Sequence, residues 1–367
     1  MDLFDFYTWS QRKLVFHGLA VEIACACEEL LPHLDHLLSP FREVSFPEGF
    51  VPMRGTIEPF DLEDVLVNLS HKAKPLPTPE HAFDLFRDGD RYYRLEQGVG
   101  LTMVDLVKRK WHCWVTPDAL DGDPVRLTDA TVLWPLAQLV AQRELHLLPA
   151  VAIARDNFGV LLLGDLPLEP ELSTLIDAGY KIIGQRWVAL REEENGRIGM
   201  LHLPGHVLQK PVPRSPKIKR GGSMGKKSPA APALRDRWLD LHGRHPQAVQ
   251  NHSFCDLILV CGPGRRDQIL VKQVGWAAAM NVLRRTWPNV DIPPNRRGGK
   301  LVSKMASRIR VAEIQLSRDT SELLKVIDLF RRTPVPNHLK PVKVPAGSMM
   351  VTNWKKPPAY RPLKKTA

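Results

Sequence analysis

The sequence of 367 residues predicts an α/β (α+β) chain with a central mixed sheet and an N-terminal α/β unit. Short apolar runs separated by turn residues predict strands, as in LLPAVAIARDNFGVLLLG, where R-D-N-F-G signals a hairpin with Asn157 and Gly159 at positive φ. Leucines and alanines three or four residues apart predict helices, as in 130–145. No run reaches the ~18 apolar residues that a membrane helix needs.

The first 130 residues predict the N-terminal α/β unit. VEIACACEELLPHLDHLL has apolar residues at helical spacing, interrupted at Pro32, and so predicts a helix. HAFDLFRDGDRYYRLEQGVGLTMVDL predicts short strands around an Asp-Gly turn, and KRKWHCWVTPDAL predicts a further strand.

Residues 131–335 predict a second domain. We expect strands at KII, WVAL, IGMLHL, FCDLILVCGPG and RIRVAEIQLS, and helices at GWAAAMNVLRRTW and DTSELLKVIDLFRR. Asp319 would cap the last helix, with Glu322 three residues later. A flexible basic insertion at 208–234 and a basic, proline-containing tail at 336–367 complete the predicted organisation.

The net charge of +11 is concentrated in two segments. Residues 204–235 and 329–367 contain 17 lysines and arginines and no acid, which leaves 34 basic against 40 acidic residues elsewhere. Basic segments on a mildly acidic body indicate interaction arms more than a nucleic-acid-binding fold. The five cysteines form no C-x-x-C pair, so we expect buried free thiols in a cytoplasmic protein.

The segment VLLLGDLPLEPELSTLIDAGYKII (160–183) has the layout of a strand, a loop and a helix. In a phosphate-binding loop, glycines let successive backbone N–H groups wrap the phosphates, and a lysine reaches their oxygens. This loop instead carries Asp165, Glu169 and Glu171, together with two prolines that lack an N–H. At ~5 Å and an effective dielectric constant of ~20, each carboxylate would oppose a phosphate charge by about 3 kcal/mol.

The hairpin, VLLLG, STL, AGY and VAL, in this order, resemble the core of the HPr kinase/phosphatase-like proteins. Members of that family run L-H-A-A-A-V, a hairpin, G-V-L-L-x-G-P-S-G-x-G-K-S-T-L, A-G-Y and S-D-D-V-V-A-L. The resemblance covers about 140–335. It implies a phosphoenolpyruvate-carboxykinase type of P-loop domain and, in active members, phosphoryl transfer to a peptide or protein serine. Divergent relatives found with ribosomal-peptide natural product biosynthesis also have an N-terminal α/β unit.

The departures from the family pattern fall on its chemistry. The family histidine aligns with Pro149, although His146 stands three residues upstream. No lysine occurs between Gly164 and Asp177, and the paired acids that supply metal ligand and base are replaced. The residues of this vestigial nucleotide site are Gly164, Asp165, Ser173, Thr174, Gln185 and Arg186.

The sequence therefore favours a catalytically inactive, peptide-binding member with no catalytic residue, metal or cofactor. The resemblance to the natural-product relatives makes an acidic leader peptide the expected partner, attracted by basic residues at 204–235 and 281–310. The candidate partner-binding residues are Arg186, Arg265, Arg266, Arg284 and Arg285. No membrane contact is expected, and an oligomer is possible.

Two alternatives stay open. A divergent serine kinase using ATP and Mg²⁺ would need Lys181 or Arg186 in place of the missing lysine. A nucleic-acid or scaffold protein would act through the basic segments, although these lack a reader motif.

Three further motifs favour ordinary structure. CGPGRRD (261–267) indicates a turn with solvated arginines, with an anion-binding loop as the alternative. WHCW (111–114) indicates aromatic packing on a strand. His33 and His36 indicate surface histidines, because a metal site needs three or four convergent ligands.

Overall fold

A computed structural model describes residues 8–333, except 44, 47, 61–67, 77–82, 165–168, 205–206, 210–236, 240, 267–268, 287–295 and 318. The description covers backbone alone at 169–170, 207–209, 237–239, 241–242, 263–266, 286, 296–297, 317 and 320. Nearly all of the predicted insertion at 208–234 and the whole predicted tail at 336–367 lie outside the described residues.

The N-terminal sheet contains eight strands in the order β1-β2-β3-β8-β7-β6-β5-β4. Its strands are β1 (Ser10–Phe16), β2 (Leu19–Cys25), β3 (Met53–Pro59), β4 (Lys74–Leu76), β5 (Asp84–Asp88), β6 (Arg91–Glu96), β7 (Gly100–Asp105) and β8 (Lys110–Val115). The β2–β3 and β3–β8 pairs are parallel and the other pairs are antiparallel. The predicted strands around the Asp-Gly turn and at KRKWHCWV are confirmed.

The predicted helix over VEIACACEELLPHLDHLL is wrong in its first half. VEIAC belongs to strand β2, and helix α1 (Leu31–Leu38) begins one residue before Pro32. Val21, Ile23 and Cys25 are buried on one face of the sheet, which is the strand period of two. Burial against neighbouring strands thus overrides a helical spacing that extended over only part of the segment.

A helical layer covers one face of this sheet. It consists of α1, α2 (Pro117–Leu120) and a continuous segment made of α3 (Pro124–Thr128), a π-helical turn (Asp129–Leu133), α4 (Trp134–Val140) and a 3-10 turn (Ala141–Arg143). Every residue of α4 is buried, because the same apolar cluster continues into the second sheet at Leu147, Trp187 and Leu201. The boundary predicted at 130/131 falls inside this helical segment. The division into domains stays a prediction.

The second sheet contains nine strands, both parallel and antiparallel, which confirms the predicted mixed sheet. Its strands are β9 (Leu145–Pro149), β10 (Val151–Arg155), β11 (Phe158–Gly164), β12 (Lys181–Gly184), β13 (Trp187–Glu192), β14 (Ile198–Leu201), β17 (His252–Arg266), β18 (Leu270–Gln273) and β19 (Arg310–Ser317). Strands β11 and β19 both pair in parallel with β17. A separate ribbon pairs β15 (Val207–Gln209) with β16 (Arg237–Leu239).

Helices cover both faces of the part of this sheet that contains β11, β17 and β19. α5 (Glu169–Asp177) and α9 (Thr320–Arg332) pack on one face, and α7 (Trp276–Thr286) and α8 (Arg296–Arg308) pack on the other. The remaining short elements are α6 (Leu241–Arg244) and the 3-10 turns Glu28–Leu30, Ser39–Phe41 and Pro246–Ala248. Helix α8 was not predicted.

Two local predictions have opposite outcomes. The hairpin between β10 and β11 is confirmed, but Asp156 and Asn157 take positive φ, and Gly159 does not. An added Cβ at Gly159 would lie 2.0 Å from the carbonyl oxygen of Phe254, so close strand packing favours this glycine. The predicted cap of α9 is confirmed, because the Asp319 carboxylate accepts a hydrogen bond of 2.8 Å from the Ser321 N–H.

Candidate functional site

Most of the candidate residues lie at one edge of the second sheet. Strands β11, β17 and β19 run in the same direction, and Gly164 pairs with Cys261, which pairs with Ile314. Strand β12 also runs this way, because β10 lies antiparallel between β11 and β12. We call the edge where these four strands end the carboxyl edge, and the edge where they begin the amino edge. In open α/β sheets, ligands bind outside the carboxyl ends of the strands.

Gly164 at the end of β11 is explained by backbone geometry. Its φ is +82°, and an added Cβ would lie 2.4 Å from the carbonyl oxygen of Cys261. Only glycine takes this conformation at so close an approach without strain. The glycine that follows VLLL therefore has a structural reason to be there, independent of any phosphate.

The helix after the loop differs from a phosphate-binding helix in its first turn. α5 begins at Glu169, so Ser173 and Thr174 lie in its second turn, where both are half-buried. Glu171 in the first turn is buried, with 2% of its surface exposed. A phosphate would need the N–H groups of this first turn, and Pro170 lacks one. Asp165 lies outside the described residues.

Lys181 lies at the edge opposite Gly164. It begins β12 and pairs with Ala154 at the amino edge, whereas Gly164 ends β11 at the carboxyl edge. Its Nζ donates a hydrogen bond of 2.7 Å to the carbonyl oxygen of Gln247. The lysine that the kinase alternative requires is therefore at the wrong end of the sheet.

Arg186 lies at the carboxyl edge, but its guanidinium group turns toward the N-terminal helical layer. Arg186 Nε donates to Asp129 Oδ2 at 2.6 Å, and Trp187 Nε1 donates to Asp129 Oδ1 at 3.0 Å. Burial raises the pKa of Asp129, and the charge of Arg186 opposes that rise. Gln185, beside it, is buried with 1% exposed. Of the two positions aligned with the family's acids, Arg186 thus connects the second sheet to the helical layer.

A small cleft opens beside this ion pair. Its interior of about 20 Å³ has room for roughly one water molecule, whereas ligand sites span roughly 300–1,000 Å³. The lining residues are His33, Leu37, Val125, Thr128, Asp129, Leu133, Arg186, Trp187 and Pro204. His33 therefore borders a cleft, and partial burial lowers its pKa. A nucleotide does not fit in this space.

The described residues at the positions aligned with the family's metal ligands and base do not fit ATP with Mg²⁺. Gln185 and Arg186 offer no carboxylate to a metal ion, and Pro149 at the end of β9 has no side chain that could act as a base. His146 is buried within β9. Within the described ranges, no group of three or more His, Cys, Asp or Glu side chains could hold a metal ion.

Four of the candidate arginines lie in the last residues of β17 and α7. α7 starts near the amino edge, where the Val274 N–H bonds to the Val311 carbonyl oxygen, and it therefore ends toward the carboxyl edge. Arg284 and Arg285 in its last turn are exposed. Arg265 and Arg266 are part of β17, but their side chains lie outside the described residues.

The amino edge holds its charges in close contacts. Asp256 accepts hydrogen bonds from the Gly159 N–H at 3.0 Å and from Arg197 Nη2 at 2.9 Å. Tyr180 Oη donates to Asp328 Oδ1 at 3.1 Å. Burial, the larger cause, and the nearby Asp328 carboxylate, the smaller one, raise the pKa of Tyr180 to about 12.

A buried arginine extends this arrangement. Arg310 at the start of β19 is 5% exposed and donates from Nη1 to the Thr333 carbonyl oxygen at 2.9 Å. Its guanidinium carbon lies 5.8 Å from the ring centre of Phe158 and 5.7 Å from that of Phe330. Burial lowers the pKa of Arg310. The amino edge is thus built as a packed, hydrogen-bonded rim.

The other sequence motifs form ordinary structure where they are described. In WHCW, Trp111 Nε1 and Cys113 Sγ donate to the Thr131 carbonyl oxygen, and His112 stacks on Trp114 with ring centres 4.2 Å apart. All five cysteines are free and buried, as predicted. No helix in the described part of the chain is both long and apolar enough to cross a membrane.

Comparison with known proteins adds little to this description. No family model matches the sequence, and no curated protein matches it. Among solved structures, the chain is similar to the HPr(Ser) kinase/phosphatase from Coxiella burnetii, with 14% identity over 51% of this chain and 90% of that one. The TM-score is 0.28, which is too low to support an argument about function. The structure itself defines a mixed α/β protein in which β11 ends at the carboxyl edge and the next described element is α5.

Proposed function

We propose that this protein is a non-catalytic, HPr-kinase-like binding module whose partner is an acidic peptide. The observation that carries the proposal is the placement of the cations around the former phosphate loop. Lys181 is at the amino edge, and Arg186 is bound to Asp129, so neither lies where it would hold a nucleotide phosphate. Arg284 and Arg285 at the carboxyl-edge end of α7 are exposed and remain accessible to a partner.

The nature of the partner follows from charge and from the family resemblance. Active kinases of the resembled family take a polypeptide beside the nucleotide, so a scaffold that has lost the nucleotide half retains a place for a peptide. Exposed arginines at a sheet edge attract carboxylates and increase the association rate. A leader peptide of a ribosomally made natural product, met in the cytoplasm, is the partner that the resemblance suggests.

A thermal-shift titration distinguishes this proposal from a divergent kinase. A ligand that binds the native state raises the melting temperature as its concentration increases. Because we expect no nucleotide to bind, ATP with Mg²⁺ up to about 5 mM should leave the melting temperature unchanged. A concentration-dependent rise that is lost in Lys181→Met would favour the kinase alternative instead. Lys325→Met on the exposed face of α9 is the matched control for loss of a lysine.

Peptide binding is the second arm of the test. A fluorescein-labelled peptide of about 12 residues, rich in Glu and Leu at helical spacing, should bind without nucleotide in fluorescence anisotropy. A peptide in which lysines replace the glutamates should not bind. Equal binding of both peptides would contradict recognition of an acidic partner.

A further inference from the structure

The helices α7 and α8 lie in a strongly basic part of the sequence. Residues 276–308 contain seven lysines and arginines and one acid, whereas the chain outside its two basic segments has more acids than bases. Arg284, Arg285 and Lys300 are exposed and have no carboxylate partner among the described residues. By contrast, Lys304 and Arg308 share the Glu192 carboxylate at the far end of α8.

The directions of the two helices place these cations toward one end of the pair. α7 starts near the amino edge, and α8 runs back toward it, because β19 follows α8 and begins there. The two helices contact each other, and Ala279, Leu283 and Met305 belong to one apolar cluster. Arg284 and Arg285 in the last turn of α7 therefore lie at the same end of the helix pair as Lys300 in α8. We call these three residues the cation cluster.

An exposed aromatic residue lies at the other end of the same helix. Trp276 begins α7 and is 49% exposed. Arg284 and Arg285 follow Trp276 by eight and nine residues, which is a rise of about 12–14 Å along α7. At about 100° per residue, Arg284 lies about 80° around the helix from Trp276, and Arg285 lies on the opposite side. The solvent-exposed surface of α7 thus offers an apolar contact at its start and positive charge at its end.

We propose that the exposed surface of α7 is the docking surface for an acidic segment that also carries an apolar side chain. Carboxylates of the partner would bind the cation cluster, and its apolar residue would pack on Trp276. Charge complementarity selects an acidic polypeptide, and Trp276, the exposed aromatic residue in the described part of α7, provides one anchor. This inference rests on the proposed function and specifies where the peptide binds.

Charge reversal tests the cation cluster. Arg284→Glu with Arg285→Glu should raise the dissociation constant of the Glu- and Leu-rich peptide about tenfold or more at low salt, with a smaller loss at high salt. Lys325→Glu with Arg332→Glu is the matched control, because it makes the same charge change on exposed residues of α9, on the opposite face of the sheet. The control should change binding less than about twofold.

A second variant tests the apolar contact. Trp276→Ser should raise the dissociation constant of the Glu- and Leu-rich peptide several-fold. The dissociation constant of a peptide made only of glutamates should stay nearly unchanged, because that peptide has no apolar side chain to pack on Trp276. Far-UV circular dichroism and the melting temperature of each variant show whether it is folded.

The outcomes separate this inference from the proposed function. Loss of binding in the α7 variants but not in the α9 control supports both. Wild-type binding that the α7 variants leave unchanged overturns the docking surface alone, and absence of wild-type peptide binding overturns the proposed function. A single-stranded oligonucleotide that binds more tightly than the peptide, and is lost with the same variants, would make this a nucleic-acid surface and overturn the inference.

Discussion

The two edges of the second sheet use charge in opposite ways. At the amino edge, Asp256, Arg310 and Tyr180 each have hydrogen-bond partners within 3.1 Å. Toward the carboxyl edge, Arg284 and Arg285 extend into solvent with no carboxylate among the described residues. Polar groups that are buried must be satisfied by the fold itself, whereas exposed, unpaired cations remain available to a partner. The polar and charged side chains of the amino edge therefore stabilise the fold, and we expect the exposed cations toward the carboxyl edge to bind a partner.

The largest effect on stability should come from Gly164, the last residue of β11. Gly164→Ala should reduce the free energy of unfolding by about 3 kcal/mol, because alanine would be strained at a φ of +82° and would approach the Cys261 carbonyl oxygen. Urea denaturation measures this change.

Gly179→Ala is the control for that prediction. Gly179 also has positive φ, but its added Cβ would meet no atom closer than 3.9 Å, so only about 1 kcal/mol should be lost. Equal losses in the two variants would show that the close approach to Cys261 is unimportant.

The next effect concerns the pH dependence of the amino edge. The pKa of Tyr180 is raised to about 12, so the unfolded chain loses this proton before the folded one as the pH rises. Stability should therefore fall by up to about 2 kcal/mol from this residue between roughly pH 10 and pH 12. Denaturation of wild type and Tyr180→Phe at these two pH values measures the difference, and an identical pH dependence would contradict the assignment.

A smaller loss is expected at Asp256. Asp256→Ala should reduce the free energy of unfolding by about 1.5 kcal/mol, because the Gly159 N–H and Arg197 each lose a partner. Peptide affinity should stay unchanged, since Asp256 is at the amino edge. A change in affinity without a change in stability would break the distinction between the two edges.

The smallest effect on stability should occur where the binding effect is largest. Arg284→Glu with Arg285→Glu should change the free energy of unfolding by less than about 1 kcal/mol, because both side chains are exposed and have no carboxylate partner in the described part of the chain. Some stability should be lost because positive charges near the C-terminal end of a helix interact favourably with the helix dipole. A large destabilisation, measured by urea denaturation, would mean that these arginines are structural.

Much of the fold was predictable from local patterns. The strands around the Asp-Gly turn, the hairpin after β10 and the Asp319 cap follow from turn and cap chemistry within a few residues. Helix α8 was missed because Gly298 and Gly299 weaken its helical signal, although Leu301 and Met305 have helical spacing. Burial of these residues against the sheet forms the helix despite the glycines.

The features of the candidate site likewise differ in whether local sequence predicts them. The sequence by itself determined that the loop after β11 has acids and prolines where a phosphate loop has glycines and a lysine, because residue type decides charge and N–H supply. Only the tertiary structure decided which cations are accessible. Arg186 bonds to Asp129, which is 57 positions away in the sequence. Lys181 lies at the opposite edge of the sheet from Gly164, because Lys181 begins its strand and Gly164 ends a strand that runs in the same direction. Such pairings depend on which distant segments the sheet and its helices bring together, and local sequence does not encode that.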